Sequence, residues 1–90
     1  MNFLERMKGD PTRLRWRGTF TGSVVLTAEV PRDILGVQVM QIANAAPGTD
    51  YFTIDYATDR PKRDQFTLYS WLNNAASVAA SEVEVIVFIN

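Results

Sequence analysis

The chain has neither cysteine nor histidine among its 90 residues. The first absence excludes disulfides and thiolate chemistry and makes a reducing compartment the simpler setting. The second removes the commonest general base and the commonest metal ligand. The five glycines are scattered singly, so there is no glycine-rich loop to cradle a phosphate. No apolar run reaches the length needed to span a bilayer. Met1-Asn2-Phe3-Leu4-Glu5-Arg6 meets charge before an apolar leader segment can grow. These absences predict a cytoplasmic protein that is not an enzyme, with no metal, no cofactor, no membrane partner and no evident small-molecule substrate.

The candidate reactive groups agree with that reading. Ser23, Ser70, Ser77 and Ser81 have no histidine to activate them, and Lys8 and Lys62 sit beside charged or turn residues. Asp50, Asp55, Asp59 and Asp64 match neither a calcium loop nor a paired-acid arrangement. Asp59 and Asp64 lie next to Arg60, Lys62 and Arg63, the pattern of a wet loop with local ion pairs.

What is present is ordinary for a globular domain: 47% apolar and 21% charged residues, with a formal net charge of −1. A chain of 90 residues is read as one small domain over residues 1–90. Such a chain buries only about 60–65% of its unfolded surface, so any partner that covers more of it adds stability. The charge balance gives no global field to draw the chain onto nucleic acid or anionic lipid.

The strongest pattern is C-terminal. Val83, Val85, Val87 and Ile89 alternate with Glu82, Glu84, Ile86 and Phe88, which predicts a strand inside a sheet. Residues 12–20 also alternate, with Leu14, Trp16, Gly18 and Phe20 opposite Arg13, Arg15, Arg17 and Thr19. Residues 24–30 alternate too. An odd loop, Thr21-Gly22-Ser23, with Gly22 at positive φ, would pair these two strands with Phe20 beside Val24, Trp16 beside Ala28 and Arg15 beside Glu29. Residues 51–57 read as a strand with Phe52, Ile54 and Tyr56 inward.

Two segments read as helices. Residues 34–46 place Leu35, Val39, Ile42, Ala43 and Ala46 on one side, with Asp33 as N-cap; a strand through residues 37–42 is the alternative. Residues 65–81 place Leu68, Trp71, Leu72, Ala75 and Ala79 at helical spacing, capped by Asp59 or Asp64. Residues 1–11 read as a loosely docked arm with a turn or two of helix. The expected architecture is therefore α+β: a two-layer sandwich, β-β-α-β-α-β, with two helices on one face of a four-stranded mixed sheet.

Two features carry functional information. No charged residue occurs in residues 34–49 or 65–81, 33 positions where about seven would be expected from an even spread. Loss of charge without full apolarity marks the core of a protein–protein interface. On the helical reading the faces offered are Gln38, Gln41 and Asn44, and Ser70, Asn73, Asn74 and Ser77, which predicts a homo-oligomer or a complex with another protein. The second feature is the row Arg13, Arg15 and Arg17, which could track a phosphate backbone. Glu29, Asp55, Glu82 and Glu84 fall on the same predicted face, so cross-strand ion pairing gives the same pattern without nucleic acid. The small size also suits a viral or phage accessory protein, or an inhibitor that docks onto another macromolecule.

Overall fold

A computed structural model of the chain describes residues 2–29, 32–44 and 51–90. Among the described residues there are eight strands: β1 (Asn2–Arg6), β2 (Arg13–Thr21), β3 (Ser23–Ala28), β4 (Ile34–Asn44), β5 (Tyr51–Tyr56), β6 (Gln65–Leu72), β7 (Ala75–Ala76) and β8 (Ala80–Ile89). They form one sheet in the order β4-β8-β2-β1-β3-β6-β5, with β7 paired to β6. The sheet curls into a nearly closed, barrel-like structure of 37 × 29 × 20 Å. All pairings are antiparallel except β1 with β3. The described residues contain no helix, so the α+β sandwich expected from the sequence is corrected to an all-β fold. None of them, accordingly, forms a helix long and apolar enough to cross a membrane.

Alternation builds the interior. Leu4, Leu14, Leu26, Phe66, Leu68, Val83, Val85 and Val87 are fully buried, and Trp16, Val37, Val39, Phe52, Ile54 and Tyr56 pack against them. The C-terminal strand occupies the inner position that its pattern predicts. β8 is bonded to β2 from Arg13↔Phe88 to Thr21↔Ala80, and on its other side to β4. Its outer side is not fully covered, since Phe88 stays exposed.

The helical readings fail for identifiable reasons. In β4 the register with β8 slips twice, leaving Leu35 and Ile42 as extra, bulged residues. Two insertions into a period of two put Leu35, Val39, Ile42 and Ala43 at spacings that imitate a helical stripe. The β-branched Val37 and Val39 are at home in a strand. Asp33 caps no helix there; its Oδ1 accepts from the Arg63 N–H at 2.8 Å.

In the second segment Phe66, Leu68 and Ser70 point inward, with Gln65, Thr67, Tyr69 and Trp71 on the other face. Asn73 and Asn74 both have positive φ, 53° and 65°, and turn the chain so that Leu72 pairs with Ala75. Asparagine tolerates that conformation, and two such residues in succession make a tight hairpin turn. Asp64 likewise caps no helix. It is buried and accepts from the Arg60 guanidinium at 2.6 and 3.3 Å, which raises the pKa of Arg60 above its ordinary value.

The N-terminal segment is not a loose arm. Gly22 has the positive φ expected of it, +79°, but β2 and β3 diverge from it without forming the expected hairpin. β1 lies between them, pairing Glu5↔Arg15 with β2 and Leu4↔Ala28 with β3. The inward Leu4 closes the interior at this point.

Candidate interaction surfaces

β4 and β5 are the two ends of the sheet, and among the described residues each is bonded along one side only, to β8 and β6. Between them lies a groove of about 340 Å³ lined by Val37, Val39, Phe52, Thr53 and Ile54. This seam brings partly buried core side chains within reach of the outside. β4 carries no charged residue along its eleven positions. Leu35 is 65% exposed, Met40 56% and Ile42 40%. Natural edge strands are normally blunted by charge or proline, and this one has neither; among the described residues it is interrupted by a bulge at each end.

The first charge-free stretch of the sequence thus includes a sheet edge, and the second covers β6, the Asn73–Asn74 turn and β7. The residues nominated from the helical reading do not share one surface. Gln38 and Gln41 are exposed on β4. Asn44 ends that strand opposite Ser81, and its side chain lies outside the described features. Asn73 and Asn74 are exposed in the turn.

Ser70 and Ser77 are buried and cannot line an interface. The Ser70 N–H donates to the Gly22 carbonyl at 2.9 Å, the Ser77 N–H to the Ser70 carbonyl at 2.9 Å, and the Ala79 N–H to the Ser77 hydroxyl at 3.2 Å. These bonds tie β6, the Gly22 corner and the segment before β8 together.

The arginine row lies on the outer face of β2, as alternation predicts, and its members differ. Arg13 is held by Asp10 in the loop between β1 and β2. Arg15 lies 4.0 Å from Glu84 and Arg17 3.8 Å from Glu82, diagonal neighbours on β8. The cross-strand ion pairing anticipated for this face is present with the β8 glutamates. Glu29 is not the partner, because β1 intervenes between β2 and β3. Asp10 also accepts from the hydroxyl and the backbone N–H of Thr12. Those bonds, the Thr12 hydroxyl foremost, and then Arg13 lower its pKa from 3.8 to about 2.

A cleft of about 430 Å³ beside the row is lined by Asn2, Phe3, Glu5, Arg15, Trp16 and Arg17. Phe3, half exposed on this face, comes from β1 and was invisible in the sequence because β1 was not read as a strand. A planar ring beside two guanidinium groups suits a nucleotide, but Glu5 lines the same cleft, and Arg15 and Arg17 are already paired with Glu84 and Glu82.

The opposite outer face, on β5 and β6, is aromatic and nearly uncharged. Tyr51 and Trp71 have ring planes 17° apart with centroids at 6.3 Å, and Tyr69 lies 6.0 Å from Trp71. The Trp71 indole N–H donates to Thr53 Oγ1 at 2.8 Å, which fixes the ring across β5.

No protein-family model, curated protein or solved structure matches the chain.

Proposed function

We propose that this chain is a non-enzymatic interaction module that self-associates, and that the seam beside β4 is the surface it uses. The observation that carries this reading is the uncharged edge of β4, unpaired among the described residues, with Leu35, Met40 and Ile42 exposed along it. Unpaired backbone groups and apolar side chains on one edge favour the addition of a strand. The absence of charge removes the usual obstacle to burying that edge. The glutamates beside Arg15 and Arg17 favour this reading over a nucleic-acid ribbon, because they already offset the cationic row. The lack of cysteine supports a cytoplasmic setting.

Light scattering across the micromolar range tests the proposal. The wild type should exceed the monomer mass of 10.1 kDa, and Met40→Lys should return it to that mass without altering the circular dichroism spectrum. A lysine at an edge is the device by which sheets avoid each other. A wild type that stays monomeric throughout would remove the self-association reading.

A further inference from the structure

We infer that the partner at the seam is a second copy of this chain whose β4 pairs antiparallel with the first about a two-fold axis at Gln38. The inference rests on the self-association proposed above and adds its symmetry and register.

The bulges at Leu35 and Ile42 leave Gly36 to Gln41 as the regular part of β4. Only there are backbone donors and acceptors evenly presented to an incoming strand. A two-fold axis perpendicular to the sheet keeps inner residues opposite inner residues and outer opposite outer. To keep five of the six residues from Gly36 to Gln41 paired, the axis passes through Gln38 or Val39.

The two registers differ in chemistry. An axis at Gln38 sets Val37 against the second copy's Val39 on the inner face, and Val39 against its Val37. The strip of core exposed in the groove then continues from one copy to the other. On the outer face Gln38 meets the second copy's Gln38, and two side-chain amides can each donate to and accept from the other. Met40 falls opposite the second copy's Gly36. A Cβ at Gly36 would meet nothing closer than the Phe88 ring at 3.9 Å, so a methionine has room there and an aromatic edge to contact. An axis at Val39 would instead oppose Val37 with Gln41 and Gln38 with Met40, setting amides against apolar groups.

The lack of charge also points to a second copy. About a two-fold axis each residue at the centre meets its own kind, so a lysine or glutamate there would face a like charge. Ile34–Asn44 contains none.

Because the chain has no cysteine, single cysteines report the register directly. Residues directly opposed in an antiparallel pair have Cα atoms about 4.5–5.5 Å apart, within disulfide reach. Mild oxidation of Gln38→Cys should therefore give a covalent dimer on a non-reducing gel. In the same register the two copies of position 40 lie four residue steps apart, about 14 Å, so Met40→Cys alone should not bridge. An equimolar mixture of Gly36→Cys and Met40→Cys should form the mixed dimer, which confirms the register independently if Gln38→Cys disturbs the strand. A wild type that is oligomeric by light scattering, with neither the Gln38→Cys bridge nor the Gly36–Met40 mixed bridge, would overturn the inference and leave self-association standing. Bridging of Met40→Cys as readily as of Gln38→Cys would overturn it too. A monomeric wild type would instead remove the reading on which it rests.

Discussion

On one side of the molecule β2 and β3 part at Gly22, and β1 fills the space between them, bonded to both. On the other side β4 and β5 approach without bonding, and the core is reached through the groove between them. The same physical demand, that backbone groups be paired and apolar side chains covered, is met internally at the first gap and, among the described residues, is not met at the second. The charge distribution follows this division. Near β1 the outer face is laced with arginines and glutamates, whereas β4 has no charge at all. The difference teaches that a strand bonded within the sheet tolerates charge on its outer face, as β2 and β8 do, whereas the open strand β4 carries none.

The comparison breaks most completely if β8 is lost, because that strand links the two sides. Deleting Val85 to Asn90 removes four of the nine β8 partners of β2 and five of the nine of β4, together with the buried Val85, Val87 and Ile89, and the cooperative thermal transition should disappear. Leu4→Ala is the next largest change. It empties a fully buried position on the joined side, at a cost of about 2–5 kcal/mol by denaturant titration. Val39→Ala, at the half-buried open side, should cost about 1 kcal/mol in the monomer. Equal losses at the two positions would mean that the seam is as tightly packed as the β1 gap.

Smaller effects belong to the charged face. A double-mutant cycle on Arg17 and Glu82, both substantially exposed and 3.8 Å apart, should return a coupling below about 1 kcal/mol that shrinks with salt. Asp10 orders the loop joining β1 to β2. Its folded pKa, about 2, lies below its ordinary 3.8. The stabilisation it gives is therefore complete above about pH 4 and lost as pH falls through 2. Asp10→Asn should flatten that part of the acid-unfolding profile; an unchanged profile would assign the acid response elsewhere.

Much of the sheet was legible because alternation is a local signal. β2, β5 and β8 follow from it, as does the face that the β2 arginines share with Glu82 and Glu84; the partner it assigns to Arg15, Glu29, is not the one found. The rest depended on information that alternation does not carry. β4 was obscured by its two bulges, each of which shifts the period by one residue. β6 and β7 were obscured because the Asn73–Asn74 turn falls inside an apparent helical stripe. β1 is five residues long with only Leu4 buried, and its place is dictated by the distant divergence of β2 from β3. The charge gap in residues 34–49 and 65–81 is plain in the sequence, but a helical reading places it on helix faces that the described residues do not form. Its first half includes the edge that now carries the proposed interface; the buried Ser70 and Ser77 account for part of the second.

Amide hydrogen exchange measured as a function of protein concentration tests the central claim most directly. If a second copy covers the seam, the amides of Gly36 to Gln41 that point away from β8 gain protection as concentration rises, while those of β1 do not change. Exchange of the β4 amides at one rate across the whole concentration range would contradict it.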